Sequence, residues 1–327
     1  MYPYELIQSV RLITDVCLEI APGENVLCIT DAEEKMDVIT LIAAECKMRG
    51  AETAVILLEP RREHHHEPPH SVALAMRNAD VVIVMAYGEL MHTRARKEAC
   101  AAGVKYAALG GLTKEYLVKT NLTREDLIEV RALSERIAER LTAASTARLT
   151  SRAGTDLTAS LEGRKGGTLL PFGVKGSFCM VPAYAEVFVA PVEDSVEGVA
   201  VIDGNMLGAA NFEGLVEEPF EIQFKKGRIV RISGGKDAKK LQTLLDGLED
   251  EARTFAELAV NSNPKAPQQL VGMRTDNSIA GHAHIGLGRN DHIGGKSATE
   301  AHLDMLLVWP TLLLDGKPIL ENGKLLI

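Results

Sequence analysis

The sequence of 327 residues has few aromatic and few basic side chains. One Trp, six Tyr and seven Phe are too few to build stacking platforms for nucleic-acid bases or large aromatic cages. Lys and Arg total 36 against 45 Asp and Glu, and the resulting net charge of −9 disfavours phosphate binding over a broad surface. No apolar run approaches the roughly 20 residues of a membrane-spanning helix. We therefore expect neither nucleic acid nor a membrane as a partner.

The sequence also shows neither a disulfide framework nor a secretory signal peptide. The five cysteines are odd in number, widely spaced and mostly set in apolar runs, which indicates reduced thiols and not a disulfide frame or a Cys-type zinc site. The N-terminus lacks the basic start and continuous apolar core of a signal peptide. These features predict a cytoplasmic protein.

The nucleotide-binding motifs of parallel-sheet enzymes are missing as well. No G-x-G-x-x-G follows the first predicted strand, Asn25–Thr30, and no G-x-x-x-x-G-K-[ST] occurs anywhere in the chain. This disfavours a dinucleotide-dependent dehydrogenase and a P-loop enzyme.

The first half of the chain alternates short apolar runs with amphipathic stretches. This rhythm predicts a Rossmann-like α/β domain over residues 1–145, with a parallel sheet covered on both faces. The predicted strands are Asn25–Thr30, Thr53–Leu58, Asp80–Tyr87 and Lys105–Leu109, and the predicted helices are Ala32–Arg49, Ser71–Asn78, His92–Ala102 and Arg124–Ala144.

From about Thr146 the signals become strand-like and are punctuated by glycine. We expect an α+β metal-binding domain with antiparallel sheet over residues 146–327, containing one long helix at Asp237–Val260. The predicted strands are Ala147–Ser151, Asp156–Leu161, Glu186–Ala190, Gly198–Asp203, Glu221–Lys225, Arg228–Ile232, Gly281–Gly288, His302–Val308 and Pro318–Leu326.

Four of the nine histidines lie close together near the C-terminus, at positions 282, 284, 292 and 302. Residues i and i+2 of a strand face the same side, so His302 would present its imidazole beside Asp304, and His282 would lie beside His284. A divalent metal needs nitrogen and oxygen ligands that converge in this way. One more His would complete the 2-His-1-carboxylate face of an Fe(II) oxygenase, whereas further carboxylates would complete a two-metal hydrolase centre.

Spacing alone does not supply the remaining ligands. Glu257 falls on the polar face of the predicted helix, where pairing with Arg253 in solvent is the simplest interpretation. Glu186 alternates with apolar neighbours, a pattern typical of the solvent-exposed face of an antiparallel strand. The tract His64–His66 is interpreted as a polar loop after the second strand, placed where it could line a pocket.

Five short motifs occur in the order found in one known family. They are Gly154–Thr158, Glu186–Pro191, Ala256–Ala259, His284–Gly288 and Ala301–Met305. The chain resembles the metallo-aminopeptidases of the aminopeptidase T and aminopeptidase S type, from Arg148 to the C-terminus and more loosely before it.

That resemblance implies a centre of two divalent ions (Zn, Co or Mn) that hydrolyses an N-terminal peptide bond or a small amide bond. The implied ligands are Glu186, Glu257, His284, His302 and Asp304, with Glu257 bridging the metals or taking a proton from water. The resemblance also implies a homodimer and a small peptide or small-molecule substrate.

Two positions depart from the aminopeptidase pattern. Ala185 stands where the family usually has a second Glu beside Glu186, and Asp291 stands where the family has a Tyr. We expect Asp291 and His292 to join Glu257 as catalytic residues, and Arg289 and His282 to bind substrate. Loss of the Tyr would also fit a binding protein that has kept the fold without the chemistry.

A second relative with the same fold is the ring-opening enzyme 2,5-dihydroxypyridine dioxygenase. Its motifs are similar to Ala153–Asp156 and to Ile293–Lys296 followed by His302–Asp304. This resemblance implies, as an alternative, one Fe(II) bound by His302, Asp304 and either His284 or Glu257. The dioxygenase carries His at the position of Glu257 and lacks counterparts of Glu186 and His284, so the sequence favours the two-metal hydrolase.

Overall fold

The structure is a computed structural model that describes residues 4–31, 35–60, 66–86, 90–91, 93–109, 112–209 and 212–327. The helices are α1 (Tyr4–Arg11), α2 (Met36–Met48), α3 (His70–Arg77), α4 (Arg94–Ala101), α5 (Lys114–Thr120), α6 (Arg124–Ala143) and α7 (Lys236–Asp246). The strands are β1 (Asn25–Thr30), β2 (Glu52–Leu57), β3 (Val81–Met85), β4 (Lys105–Ala108), β5 (Thr146–Thr150), β6 (Asp156–Ser160), β7 (Gly167–Leu169), β8 (Phe178–Met180), β9 (Glu186–Val189), β10 (Glu197–Ile202), β11 (Asn205–Leu207), β12 (Gly214–Leu215), β13 (Phe220–Lys225), β14 (Arg228–Ser233), β15 (Phe255–Asn261), β16 (Ala283–Gly288), β17 (His302–Leu307), β18 (Thr311–Leu314), β19 (Lys317–Glu321) and β20 (Lys324–Leu325).

The chain divides into two compact units. Unit 1 comprises Met1–Ile128 and Leu169–Tyr184, and unit 2 comprises Glu129–Thr168 and Ala185–Ile327. The expected division into domains 1–145 and 146–327 stays a prediction.

Unit 1 contains a parallel sheet in the order β2-β1-β3-β4-β8. Alternate residues of β1 belong to two different hydrophobic clusters. Val26 is in the cluster that contains Ile39 of α2, and Leu27 is in the cluster that contains Val72 of α3. Because both faces are covered, the strand is apolar along nearly its whole length and shows no alternation. The predicted parallel α/β architecture is confirmed.

Unit 2 contains two sheets whose paired strands run antiparallel. The eight-stranded sheet has the order β14-β13-β10-β6-β5-β18-β19-β20, and the seven-stranded sheet has the order β12-β11-β17-β16-β15-β9-β7. Side chains of both sheets, such as Leu149 and Leu157 from one and Val187 and Ile285 from the other, share one hydrophobic core. The predicted antiparallel architecture of the second half is confirmed.

The long helix predicted over Asp237–Val260 is wrong. Helix α7 ends at Asp246 with Gly247 as its C-cap, and Phe255–Asn261 forms strand β15. Every residue of β15 is buried: the strand lies between β9 and β16 in the sheet, and Phe255, Leu258 and Val260 belong to the hydrophobic core. A strand buried on both faces does not alternate apolar and polar residues, so its apolar positions extended the helical spacing of α7 by coincidence.

The single strand predicted over Pro318–Leu326 is also wrong, because β19 and β20 form an antiparallel hairpin with Asn322 and Gly323 at its turn. The remaining predicted elements agree with the structure to within a few residues where the structure describes them. Residues 32–34 and 92 of two predicted helices, residue 87 of a predicted strand, and His64 and His65 of the histidine tract lie outside the described residues. No helix in the described part of the chain is long and apolar enough to cross a membrane. The five cysteines are buried free thiols.

Candidate metal centre

All five implied metal ligands lie on neighbouring strands of the seven-stranded sheet in unit 2. Strand β9 carries Glu186, β15 carries Glu257, β16 carries His284, and β17 carries His302 and Asp304.

The strand register explains why these side chains meet. Gly286 of β16 lies opposite Glu257 on one side and opposite Asp304 on the other. Directly opposed residues in antiparallel strands point to the same face, as do residues i and i+2 of one strand. His284 therefore shares the face of Gly286, and His302 shares the face of Asp304, so the sheet gathers the set on one face.

Glu257 lies at the centre of the cluster, between the two histidines. Its Oε1 is 3.7 Å from Nε2 of His284, and its Oε2 is 3.4 Å from Nε2 of His302. Nε2 of His284 is also 3.4 Å from Oε2 of Glu186, and Nε2 of His302 is 3.1 Å from Oδ1 of Asp304. One ligand atom from each of Glu186, Glu257 and His284 lies within 4.8 Å of the others. Each imidazole is thus turned towards two carboxylates.

Hydrogen bonds behind the rings determine which ring nitrogen faces the cluster. Nδ1 of His302 lies 2.8 Å from the main-chain carbonyl of Arg289, which can only accept, so Nδ1 carries the proton. Nδ1 of His284 lies 2.9 Å from Oδ1 of Asn261. In its neutral form, each ring therefore directs the lone pair of Nε2 at the carboxylates, as metal-binding histidines do.

The electrostatics of the cluster require a cation. Glu186, Glu257 and Asp304 are all less than one-tenth exposed, and His284 is only 1% exposed. Burial opposes ionisation of Glu257, but hydrogen bonds with His284 and His302 lower the pKa of its carboxyl to about 2. Burial likewise lowers the pKa of His302, but the carboxylates of Asp304 and Glu257 raise it well above its ordinary value.

Buried carboxylates of this kind are stabilised either by protonated imidazoles or by a metal ion. Oδ1 of Asp304 is buried and accepts no hydrogen bond from the described residues, which leaves it available as a ligand. Two imidazole nitrogens and three carboxylates fit a divalent transition metal. The residues present therefore fit a metal centre.

Gly286 provides the space for this cluster. A Cβ atom at this position would lie 2.8 Å from Cβ of Glu257 and 3.2 Å from Cε1 of His302. The close approach of ligands from β15 and β17 across β16 thus depends on the absence of a side chain.

Of the two predicted catalytic residues after β16, His292 lies beside His302 and Asp291 pairs with Arg289. The guanidinium of Arg289 binds Asp291 through two hydrogen bonds of 2.5 and 2.9 Å. The ring of His292 lies edge-on to that of His302, with 5.6 Å between centroids. Partial burial and the neighbouring His302 lower the pKa of His292, so its imidazole is neutral near pH 7.

The structure places His282 differently from the expected position beside His284. His282 precedes β16, and its ring stacks on Trp309 with 6.1 Å between centroids. Its Nδ1 accepts a hydrogen bond from the main-chain N–H of Trp309. Its role in substrate binding stays a prediction.

Three residues around the centre were missed by the sequence analysis. Asn261 contacts His284, Nη1 of Arg274 lies 3.7 Å from Oδ2 of Asp304, and the carbonyl of Asp276 accepts a hydrogen bond from Asn261. Asn261 could have been found from its even spacing to Glu257 once β15 was known to be a strand. Arg274 and Asp276 lie on a short 3-10 turn, and no spacing rule connects them to the ligands.

The fold and the buried His-carboxylate cluster define a metal-binding enzyme. Its sequence matches the family model NicX, described as 2,5-dihydroxypyridine 5,6-dioxygenase, over residues 5–327. The chain belongs to that family.

Comparison with individual proteins gives one relative by sequence and two by structure. The 2,5-dihydroxypyridine 5,6-dioxygenase of Pseudomonas putida is 28% identical over 147 residues, a match that spans 42% of this chain and 41% of the relative. The solved structure of 2,5-dihydroxypyridine dioxygenase from P. putida KT2440 matches 98% of this chain and 96% of its own, with a TM-score of 0.82 and 20% identity. AmpT from Thermus thermophilus matches 99% of each chain, with a TM-score of 0.74 and 21% identity. The last two similarities show a shared fold.

Proposed function

We propose that the protein is a ring-opening dioxygenase that acts on a hydroxylated pyridine or a closely related small ring. Membership of the dioxygenase family supports this proposal. The observation that carries it is the pair of imidazoles whose Nε2 atoms face the buried carboxylate cluster, since His284, His302 and Asp304 together provide two nitrogens and one carboxylate. This set is the one that binds Fe(II) in many oxygenases.

Bound Fe(II) would supply open coordination positions for oxygen and for the substrate. The chain's own residues would bind and orient the ring. Glu257 stays ionised because of its low pKa, and can accept a hydrogen bond from a substrate hydroxyl. The neutral imidazole of His292 can take the proton of a second substrate hydroxyl, and Arg289 can donate hydrogen bonds to the resulting anion.

A second candidate is the two-metal hydrolase implied by the aminopeptidase resemblance. It is favoured by the position of Glu257, whose two oxygens face different histidines, as expected of a carboxylate between two metal positions. Two divalent ions would polarise a carbonyl and supply a hydroxide near neutral pH. Glu186 and Asp304 would then complete the two ligand sets.

Metal content and oxygen uptake distinguish the two candidates. We expect about one Fe per chain in protein purified without chelators, and oxygen uptake when Fe(II)-loaded protein receives 2,5-dihydroxypyridine. Two Zn, Co or Mn ions per chain, with release of N-terminal residues from peptides and no oxygen uptake, would overturn the dioxygenase proposal. His302→Ala should abolish metal binding, whereas substitution of the exposed His70 by Ala should leave it unchanged.

A further inference from the structure

Asn261 is a fully buried residue at the end of β15, directly behind the ring of His284. Its Oδ1 lies 2.9 Å from Nδ1 of His284, and its Nδ2 donates a hydrogen bond of 3.1 Å to the main-chain carbonyl of Asp276. Because a carbonyl can only accept, the amide nitrogen of Asn261 must face Asp276. The amide oxygen must therefore face His284, and Nδ1 of that ring must carry its proton.

The partner of Asn261 is itself firmly held. The carboxylate of Asp276 accepts hydrogen bonds from the main-chain N–H groups of Val271 and Gly272, and from Nδ2 of Asn205 at 3.1 Å. Asp276 is 1% exposed. These bonds fix the position of the carbonyl that orients the Asn261 amide.

The two histidines of the cluster are anchored in different ways. His302 donates to the main-chain carbonyl of Arg289, which no side-chain substitution removes. His284 depends on one side-chain amide. The tautomer of His284 can therefore be changed by substitution while that of His302 serves as an internal reference.

We propose that Asn261, oriented by Asp276, is a positioning residue that keeps Nε2 of His284 free of a proton and aimed at Glu186 and Glu257. The proposal rests on the metal centre of the proposed function and holds for either reaction. Without the amide oxygen, the ring can place its proton on Nε2, where it blocks the ligand position. Loss of such a partner behind a metal-binding histidine typically weakens metal affinity by about 10- to 100-fold.

The test compares Asn261→Leu with Asn261→Asp in the full chain, using ¹⁵N-histidine NMR and zinc titration. Spectra of chelator-treated protein are recorded at alkaline pH, where both rings are neutral. In Asn261→Leu we expect His284 to lose its Nδ1–H form and the Kd for Zn²⁺ to rise about 10- to 100-fold. Asn261→Asp keeps an acceptor, so the Nδ1–H form should persist and the Kd should stay within a few fold of wild type.

Asn205→Ala is the matched control, because it removes a buried amide that binds Asp276 without touching His284. It should leave the tautomer of His284 unchanged. If Asn261→Leu fails to fold by circular dichroism, Asn261→Ala replaces it. An unchanged His284 tautomer and unchanged zinc affinity in the variant without an acceptor would overturn the proposal, as would equal losses in Asn261→Asp. Failure of wild type to bind metal would instead count against the proposed function, and the NMR comparison would still decide the role of Asn261.

Discussion

At the scale of single residues, the centre joins a His–Asp pair from one strand, His302 and Asp304, to Glu257 from another strand. The i and i+2 spacing of His302 and Asp304 places both side chains on one face of a strand, wherever that strand lies. For Glu257 no local pattern exists, because its burial results from neighbours that are distant in sequence. The family resemblance supplied what the local pattern did not.

Glu257→Gln tests whether the central carboxylate binds metal. Glutamine keeps the shape of the side chain but removes the negative charge shared by His284 and His302. We expect the Kd for Zn²⁺ to rise at least 10-fold in isothermal titration. Glu162→Gln, at an exposed turn position, is the control and should bind as wild type does. Equal affinity in the two variants would contradict a ligand role for Glu257.

Asp237 gives a prediction about pH that does not involve the metal centre. Its carboxylate lies 2.7 Å from the main-chain nitrogen of Glu217 and 2.8 Å from Nζ of Lys240. Burial alone would raise the pKa of Asp237. The hydrogen bonds from Lys240 and from the main-chain N–H of Glu217 together have the larger effect, so the pKa in the folded state lies below its ordinary value. The stabilisation is therefore fully present above the unfolded-state pKa of about 3.9 and is lost as the pH falls through the folded-state pKa.

We expect Asp237→Asn to lower the free energy of unfolding by about 1–3 kcal/mol at neutral pH. The difference from wild type should shrink as the pH falls below about 4. Urea denaturation across this range is the measurement. A difference that stays constant with pH would show that the charge of Asp237 is not responsible.

At the scale of elements, buried strands that follow turns were predicted well, and β15 was not. The run Asn25–Thr30 matches β1 because a short apolar segment between turns is itself the signal of a doubly covered strand. β15 carries the same kind of buried segment, but it follows α7 without proline and with only Gly247 and a short 3-10 turn between them. β8, with three residues, is too short to give any pattern.

Gly286→Ala tests whether the spacing of β15, β16 and β17 determines the centre. The added methyl group would meet Cβ of Glu257 at 2.8 Å, so strand or ligand must shift. We expect at least a 10-fold loss of zinc affinity and a loss of about 1–3 kcal/mol in the free energy of unfolding. Gly247→Ala is the control, since its nearest atom would be 3.5 Å away and its backbone is already helical. Zinc affinity equal to that of wild type would contradict the spacing argument.

At the scale of the whole molecule, the sequence predicts the architecture of each half of the chain. It does not predict that the metal-ligand side chains converge on one site. Alternating strands and helices predict a parallel sheet, and glycine-punctuated strands predict antiparallel sheets. The order of strands within the seven-stranded sheet, in which β9 lies beside β15, is not encoded in any local pattern. The homodimer and the cytoplasmic location stay predictions, and analytical ultracentrifugation would test the first.

Because every implied ligand belongs to unit 2, bound metal should stabilise that unit selectively. Trp309, the single Trp of the chain, lies in unit 2, so its fluorescence reports the unfolding of this unit. A ligand at about 100 times its Kd stabilises the folded state by about 2.7 kcal/mol. We expect saturating Zn²⁺ to raise the unfolding temperature detected by Trp309 in chelator-treated protein, and His302→Ala to abolish this increase.

Hydrogen exchange should slow at β9, β15, β16 and β17 and stay unchanged at β1, β3 and β4. Equal protection of β1 and β3 would show that metal binding also stabilises unit 1, and an unchanged unfolding temperature would contradict a metal centre formed by these strands.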